Sequence, residues 1–388
     1  MKLLVVAFGH TENVLTLCKE LSKKIVLHLC FIFSGDRVQN GILELDLSKF
    51  KYGLNTDSEI IKHLPVEIQN FIDNSFSLSV IRTPHRKVFK DFTFTNFRLL
   101  RKSFRKLTKE FDFDIVHYNG LSGFLLYLPL FLHGKARFWT LHDAIPHTGD
   151  ENVKTKILNK LLSRYDFFFV QHYKYLRDKF IENFRVKPEK VFQLYSGPLN
   201  VYRNFESDER IVNGDYILFY GRIAKYKGID YLLKAYNKLK TDVKLVIAGS
   251  GRLWSENEII DSNKNIIFLN KYIETRELVS LIKNSLFVVA PYTDATHSAV
   301  VVTSYVFGKP IIAYNVGGLS EVIQNNFTGI LVEPNSVDAL SVAIENLLCD
   351  KERIKEMGKN IGNFLNDRLN WEEISNGYYK MYKSIFND

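Results

Sequence analysis

The segment Pro291–Glu321 constrains the fold more than any other part of the sequence. It follows an apolar run at Leu286–Ala290 that is typical of a buried strand. A polar loop at 293–298 opens into an apolar segment with helical character, and a glycine turn then leads into a second apolar run at Ile311–Tyr314. A Gly-Gly turn at 317–318 opens another helix. Two helix N-termini at one edge of a parallel α/β sheet favour an anion, and their convergence suits a diphosphate.

Apolar runs of this kind recur along the whole chain and alternate with helical segments, as expected of parallel strands covered on both faces. We predict strands at Leu3–Ala7, Ile25–Phe33, Ser77–Ile81, Ala136–Leu141, Phe167–Gln171, Val191–Leu194, Tyr216–Tyr220, Lys244–Ala248, Asn265–Leu269, Leu286–Ala290, Pro310–Tyr314 and Gly329–Val332. We interpret residues 114–120 as a strand that runs into a loop. The sequence therefore predicts two doubly wound, Rossmann-like α/β domains, at residues 1–200 and 201–370, and a terminal helix within 371–388. We interpret the polar stretch 200–215 as the linker between the domains.

Three motifs carry a resemblance to a known family: P-Y-x-x-A-T-x-S from Pro291, F-G-K-P-I-I-A from Phe307, and V-G-G-L-x-E from Val316. They resemble the nucleotide-sugar half of the glycosyltransferase family 4 enzymes, which have the GT-B fold. The resemblance implies that the two domains face each other across a cleft. It also implies that domain 1–200 binds the acceptor, that domain 201–370 binds the donor, and that the last helix crosses back to the first domain.

The sequence departs from this family at two positions. The family usually carries two glutamates here, one facing the donor sugar and one the ribose, whereas this chain has Ala295 and Thr303. The loop is more similar to a branch of the family that reads A-T-Q-S-G, with His297 and Ala299 at the positions of Gln and Gly. We therefore expect a shorter hydroxyl, that of Thr303, or a water molecule to replace the ribose-binding carboxylate.

Two cations follow the strand Tyr216–Tyr220 in the segment G-R-I-A-K-Y-K-G. Arg222 and Lys227 match the G-R-x-x-x-x-K-G element of the family. Fixed cations at a strand end stabilise the negative charge that a leaving diphosphate develops, and they do so without a metal ion. The alternative interpretation is a solvated loop with two cations there by chance.

The resemblance implies further residues for the donor. Backbone groups near His297, Ser298 and Ala299 approach the donor phosphate or sugar, although Ser298 alternatively serves only as a helix cap. The segment after the strand Asn265–Leu269 brackets the nucleobase. The remaining predicted donor residues are Gly9, Gly249, Lys271 and Tyr272, of which Gly249 lies in a G-x-G turn that is weak evidence by itself.

Polar side chains follow neighbouring strands of the first domain, where open α/β sheets bind ligands. The segment T-L-H-D-A-I-P-H resembles an H-D-x-x-P-H element of the family. The predicted catalytic or acceptor-orienting residues are His10, Asn119, His142 and Asp143, and we place His117 and His147 at the same edge. The alternative is that these histidines are structural. If configuration is retained, as the family implies, the donor phosphate itself deprotonates the acceptor and these residues orient hydroxyl groups.

The net charge of +9 is concentrated in the first half. Residues 1–200 hold 30 Lys and Arg against 20 Asp and Glu, and the segment 82–109 holds ten against one, interleaved with phenylalanines. Such a pattern binds nucleic acid or an anionic membrane, or is simply a solvated helix with an apolar core face. The family resemblance favours a membrane, and nothing resembles a motif that reads nucleic acid. The predicted surface consists of Arg98, Arg101, Lys102, Arg105 and Lys106.

We therefore expect a retaining glycosyltransferase that moves a sugar from a nucleotide diphosphate donor to a glycan or lipid-linked saccharide in surface polysaccharide assembly. No signal peptide or membrane span is predicted, so the expected location is the cytoplasm, peripheral on the inner face of the cell membrane. Asp112-Phe113-Asp114 resembles a metal-diphosphate motif but precedes a strand, and we predict no metal or other cofactor. The alternatives are a GT-B-type nucleotide-sugar epimerase and a catalytically silent scaffold that binds nucleotide-sugar or membrane.

Overall fold

The computed structural model describes residues 1–35, 41–84, 93–132, 134, 136–142, 153–253, 257–295 and 298–386. Within these ranges the chain forms two compact units, each organised around its own β-sheet. The first unit consists of the chain up to Gly197 together with the helix that begins at Trp371. The second unit consists of Pro198–Asn370.

The first unit contains an eight-stranded sheet. Its strands are β1 (Lys2–Ala7), β2 (Val26–Ser34), β3 (Gly53–Thr56), β4 (Ser77–Thr83), β5 (Ile115–Asn119), β6 (Ala136–Thr140), β7 (Phe168–Gln171) and β8 (Val191–Gln193). Their order is β3-β4-β2-β1-β5-β6-β7-β8, and only the pair β3–β4 is antiparallel. Leu3 to Ala7 of β1 are at most 2% exposed, because helices cover a central parallel strand on both faces.

Helices of the first unit connect these strands. They are α1 (Thr11–Ser22), α2 (Asp57–Ile60), α3 (Val66–Ile72), α4 (Phe94–Glu110), α5 (Val153–Leu162) and α6 (Lys174–Phe184). The Thr93 side chain accepts a hydrogen bond from the backbone N–H of Asn96 and so caps the N-terminus of α4.

The second unit contains a six-stranded sheet in which all neighbours are parallel. The strands are β9 (Tyr216–Tyr220), β10 (Lys244–Ala248), β11 (Ile266–Leu269), β12 (Val288–Ala290), β13 (Ile311–Tyr314) and β14 (Gly329–Val332). The helices are α7 (Ile229–Asn237), α8 (Asn257–Ser262), α9 (Thr275–Asn284), α10 (Ala299–Val306), α11 (Leu319–Val322), α12 (Val337–Cys349) and α13 (Lys351–Asp367). The order β11-β10-β9-β12-β13-β14 is that of a Rossmann sheet.

The final helix, α14 (Trp371–Phe386), belongs to the first unit. It packs against α1, and its Tyr382 hydroxyl lies 2.5 Å from Nδ1 of His117 on β5. Tyr378 and Tyr382 are both buried. The helix is therefore fixed to this unit by aromatic packing and a buried hydrogen bond.

Each sheet has one point at which the direction of strand addition reverses. In the first sheet this point lies between β1 and β5, and in the second between β9 and β12. Loops that leave neighbouring strands there turn in opposite directions and open a crevice at the carboxyl ends. The candidate site in each unit lies at that crevice.

Two regions differ from the sequence-based expectation. The irregular region before Phe76 contains the short antiparallel strand β3, which the sequence analysis did not predict. The polar stretch 200–215 is not a free linker, because it contains a 3-10 helix at Asn200–Phe205 whose Val201 and Phe205 are buried. Arg203 also donates a hydrogen bond to the carbonyl of Val306, so this stretch packs onto the second unit.

Candidate functional site

The loops after β9 and β12 lie side by side at the reversal point of the second sheet. Gly228 has φ of +64°, and a Cβ there would overlap the carbonyl oxygen of Pro291, so only glycine allows this approach. The backbone N–H of Thr293 donates to the Tyr226 carbonyl at 2.9 Å. The two loops are thus joined through their backbones, and the positions of their side chains are coupled.

Arg222 and Lys227, the predicted phosphate-binding cations, both lie on the first of these loops. Arg222 is exposed, and its Nη2 donates to the Tyr226 hydroxyl at 3.3 Å. Lys227 is half-buried, with its Nζ 3.6 Å from the centroid of the Tyr292 ring and 5.1 Å from that of Tyr226. Both cations therefore lie beside Tyr226 at the carboxyl edge of the sheet, and Lys227 also faces Tyr292.

The helix α10 begins at the same edge, and Ser298 is its N-cap residue. The Ser298 side chain makes no capping hydrogen bond, so the interpretation of this residue as only a helix cap is wrong. Its hydroxyl is buried and lies beside that of Tyr292. Ala299 is exposed in the first turn, and His297 lies outside the described residues. The N-terminus of α10 thus offers backbone N–H groups and a serine hydroxyl at the edge that holds the cations.

Ala295 and Thr303, at the positions of the usual glutamates, are only 2% and 3% exposed. The Thr303 hydroxyl lies near that of Tyr220, which donates to the Val300 carbonyl at 2.9 Å. Burial raises the pKa of Tyr220, which keeps this phenol neutral. The hydroxyl of Thr303 is therefore part of the contact between β9 and α10.

The Gly-Gly turn at 317–318 also approaches the loop after β12. Gly317 has φ of +53°, and a Cβ there would overlap the carbonyl oxygen of Ala295. The helix that follows, α11, has only four residues. The expectation of two converging helices is therefore only partly met, because a single turn contributes little of a helix dipole.

The remaining predicted donor residues follow β10 and β11. The N–H of Gly249 donates to the Leu269 carbonyl, and Asn270 exchanges two hydrogen bonds with the backbone of Gly251. Lys271 forms an ion pair with Glu277 at 2.9 Å, whereas the Tyr272 ring is 43% exposed. Of these residues, Tyr272 has the largest apolar surface open to a ligand.

The reversal point of the first sheet brings together His10, Asn119 and His142. Gly9 and His10 join β1 to α1, and His10 is exposed in a left-handed backbone conformation with φ of 50°. Its ring stacks on His142 with 3.8 Å between centroids. His142 is buried, and its Nε2 donates to Oδ1 of Asn119 at 2.8 Å. Asp143 and His147 lie outside the described residues.

A further histidine, which the sequence analysis missed, completes this row of rings. His172 follows β7, and its ring centroid lies 5.1 Å from that of His142. Its Nδ1 donates to the Leu194 carbonyl at 3.0 Å, and burial lowers the pKa of His172 to about 4. Its position directly after the strand Phe168–Gln171 was the available signal, because that is the carboxyl edge of the same sheet.

The placement of His117 at this edge was wrong. His117 is the third residue of β5, so its side chain lies beneath α14 instead of at the end of the strand. Nδ1 lies 2.5 Å from the Tyr382 hydroxyl, and Nε2 lies 2.7 Å from the Thr140 hydroxyl. Burial lowers the pKa of His117 to about 3. This histidine is a neutral structural residue.

The two faces of the basic helix α4 differ in burial and charge. Leu100, Phe104 and Leu107 are buried, whereas the predicted surface residues Arg98, Arg101, Lys102, Arg105 and Lys106 are all exposed. At its start, Phe94 is 66% exposed and the Arg98 guanidinium lies 4.1 Å from the centre of its ring. Within the described ranges, none of the helices combines the length and apolar character that a membrane crossing requires.

The segment Asp112-Phe113-Asp114 lies at the amino end of β5, away from the carboxyl edge that holds the candidate site. The Asp114 carboxylate accepts a hydrogen bond from the backbone N–H of Lys2 at 2.8 Å. Asp114 therefore links the start of β5 to β1.

Residues 203–364 match the family described as Glycosyl transferases group 1. The match lies within the second unit and includes both cations and the loop after β12. This part of the chain is therefore similar to group 1 glycosyl transferases, which supports the family resemblance inferred from the motifs.

Curated relatives support the same assignment. An uncharacterized glycosyltransferase from Methanocaldococcus jannaschii is 29% identical over 216 residues, which are 55% of this chain and 58% of that protein. The capsular polysaccharide biosynthesis glycosyltransferase CapM from Staphylococcus aureus is 26% identical over 233 residues, 54% of this chain and 60% of CapM. The chain thus spans about three fifths of the length of the curated relatives it matches.

Solved structures resemble the chain over its whole length. Sucrose-phosphate synthase from Thermosynechococcus elongatus has a TM-score of 0.70 at 17% identity and covers 100% of both chains. The Anabaena protein HepE in complex with UDP has a TM-score of 0.67 at 13% identity and covers 99% of this chain and 100% of that chain. These neighbours confirm the predicted GT-B fold class with two Rossmann-like units.

Proposed function

We propose that this chain is a retaining glycosyltransferase that transfers a sugar from a nucleoside diphosphate donor to a glycan or lipid-linked saccharide. The observation that supports this most is the convergence of Arg222, Lys227 and the uncapped N-terminus of α10 at one edge of the second sheet. These groups offer two positive charges and free backbone donors to the same anion. A diphosphate matches that arrangement in charge and size.

The cations act as the glycosidic bond to the donor breaks. Negative charge then accumulates on the diphosphate, and Arg222 and Lys227 stabilise it because both are fixed before the reaction begins. Since this pair supplies the electrophilic assistance, we propose that the enzyme needs no metal ion. We also propose that the chain belongs to a branch that holds the donor sugar and ribose without the usual carboxylates, since Ala295 and Thr303 stand at their positions.

On the first unit, we propose that His10, His142 and Asn119 orient the acceptor hydroxyl together with Asp143. The Nε2–H of His142 is fixed by Asn119, and the exposed His10 ring is held by stacking on His142. Under retention the donor phosphate takes the proton of the acceptor, so these side chains position the nucleophile.

Relatives and neighbours suggest the substrate class. CapM is named for capsular polysaccharide biosynthesis, and another relative is a lipopolysaccharide 1,2-N-acetylglucosaminetransferase. The HepE structures contain UDP or UDP-glucose. We therefore propose a role in surface polysaccharide assembly and choose uridine nucleotides as the first donors to test.

Thermal denaturation with UDP, GDP, ADP and CDP, each with and without Mg²⁺, tests the donor site. We expect at least one nucleoside diphosphate to raise the melting temperature without Mg²⁺, because ligands that bind the folded state stabilise it. Arg222→Ala removes this shift, whereas the control Arg368→Ala, an exposed residue at the end of α13, retains it. Absence of a shift with every nucleotide contradicts the proposed function, and strict Mg²⁺ dependence contradicts the metal-free mechanism.

We also propose that the exposed face of α4 contacts an anionic membrane at the cytoplasmic side. Five cations lie on one side of this helix, and Phe94 is available to enter the headgroup region. A membrane contact there would bring a lipid-linked acceptor close to the first unit.

Sedimentation with vesicles of phosphatidylcholine and phosphatidylglycerol tests this contact. Replacing Arg101, Lys102, Arg105 and Lys106 with Gln weakens binding by at least about tenfold, because each cation near an anionic surface contributes about 1 kcal/mol. The matched control neutralises four exposed lysines of the second unit, Lys238, Lys351, Lys355 and Lys359. Equal losses in the two variants, or no loss in the first, contradict the assignment of this surface.

A further inference from the structure

Lys227 is supported by an aromatic ring that comes from a different loop. Its Nζ lies 3.6 Å from the centroid of Tyr292, which directly follows Pro291 after β12. Tyr292 is 1% exposed, so its ring is fixed by the surrounding core. The contact between Gly228 and Pro291 holds the two loops at the separation that this cation and ring require.

An aromatic face attracts a cation without neutralising it. The ring quadrupole holds an ammonium within about 6 Å of the centroid, and this attraction strengthens where water is excluded. Burial raises the pKa of Tyr292, so the phenol stays neutral and leaves the positive charge of Lys227 intact. The ring thus holds the ammonium group in place while Lys227 keeps its charge.

We propose that Tyr292 is a positioning residue that fixes the ammonium of Lys227 for the donor diphosphate. This inference rests on the proposed function of the second unit. A lysine has a flexible four-carbon stem and is costly to order, so a ring that orders it before binding removes that cost from the affinity.

The active part of Tyr292 is its ring and not its hydroxyl. The hydroxyl is buried beside that of Ser298. A phenylalanine keeps the aromatic face and removes only the hydroxyl. Tyr292→Phe therefore serves as the conservative variant, and Tyr292→Leu removes the aromatic face.

A double-mutant cycle tests whether Tyr292 acts through Lys227. The probe is whichever of UDP, GDP, ADP and CDP stabilises the wild type most, titrated by calorimetry. We expect Tyr292→Leu to weaken binding about tenfold and Tyr292→Phe less than about twofold. In a Lys227→Met background, Tyr292→Leu should then change the affinity by less than about twofold, because the cation on which it acts is gone.

The inference is overturned if the losses in affinity from Lys227→Met and Tyr292→Leu add up in the double variant. It is also overturned if Tyr292→Phe weakens binding as much as Tyr292→Leu does. If Tyr292→Leu lowers the melting temperature below that of the assay, Tyr292→Met replaces it in the same cycle.

A second measurement separates this inference from the proposed function. In the NMR spectrum of protein labelled with ¹³C-lysine, the ε-methylene of Lys227 should be shifted upfield by the ring in the wild type and in Tyr292→Phe. The shift should disappear in Tyr292→Leu without any ligand. If no nucleotide binds the wild type, the proposed function fails while this spectrum still reports the lysine position. An unshifted wild-type signal overturns the inference.

Discussion

The two reversal points, one in each sheet, are held together by different kinds of contact. In the second unit the loops after β9 and β12 are joined by backbone contacts at Gly228 and by the hydrogen bond from Thr293. In the first unit the edge is formed by packed rings, in which His10 stacks on His142 and His172 lies tilted against His142. A site made from backbone tolerates little change at its glycines, whereas a site made from rings tolerates backbone change and depends on packing.

Gly228→Ala should have the largest effect on stability among the variants that test this difference. The new Cβ overlaps the Pro291 carbonyl and the residue needs a left-handed backbone, so we expect a loss of about 3 kcal/mol in the free energy of unfolding. Urea denaturation measures it. The matched control is Gly214→Ala, which has φ of +84° but nothing within 4 Å of the new Cβ, and it should lose only about 1–2 kcal/mol. Equal losses at the two glycines would show that the contact between the loops is unimportant.

The buried histidines of the first unit make its stability depend on pH. Burial lowers the pKa of His117 to about 3 and those of His28 and His172 to about 4. The folded state therefore binds fewer protons than the unfolded state below about pH 6.5, and stability falls as the pH falls through this window. His117→Gln should reduce the slope by about 1.4 kcal/mol per pH unit between about pH 6 and 5, as followed by urea denaturation. An unchanged slope would mean that His117 is protonated in the folded protein.

Tyr382→Phe should have an intermediate effect, because it leaves His117 Nδ1 buried without the hydroxyl of α14. We expect a loss of about 1–2 kcal/mol in the free energy of unfolding. Tyr379→Phe on the same helix is the matched control, since Tyr379 is only partly buried, and it should change stability by less than about 0.5 kcal/mol. Chemical denaturation of both variants decides whether the hydrogen bond or the aromatic packing fixes α14.

His10→Gly should have the smallest effect. Glycine relieves the left-handed backbone at φ 50°, while the stacking on His142 is lost, and the two changes offset each other to within about 1 kcal/mol. This outcome, also read from urea denaturation, contrasts with that of Gly228→Ala. A loss above about 2 kcal/mol would mean that the stacked ring of His10 contributes more to stability than the relieved backbone returns.

The same contrast explains how much the sequence could predict. Parallel strands such as Leu3–Ala7 and Tyr216–Tyr220 are continuous apolar runs, and their carboxyl ends are readable because a glycine turn follows each one. The position of Arg222 and Lys227 at the carboxyl end of a strand was predictable for this reason. The strand β3 was not, because it has four residues and its place is fixed only by pairing with β4.

Contacts between side chains distant in sequence were beyond prediction. Tyr292 and Lys227 are far apart along the chain, and only the fold brings the ring under the ammonium. His117 was misplaced because the strand was treated as ending near it, whereas two further residues of β5 follow. His172 was missed because a single histidine after a strand has no motif of its own.

The central claim is that the second unit binds a nucleoside diphosphate through Arg222 and Lys227. Calorimetric titration of the preferred nucleoside diphosphate into wild type and into the double variant Arg222→Ala, Lys227→Met tests it most directly. Hydrogen bonds to charged groups contribute about 1.5–3 kcal/mol each, so the double variant should bind at least about 100-fold more weakly. Binding within about threefold of the wild type would contradict the account.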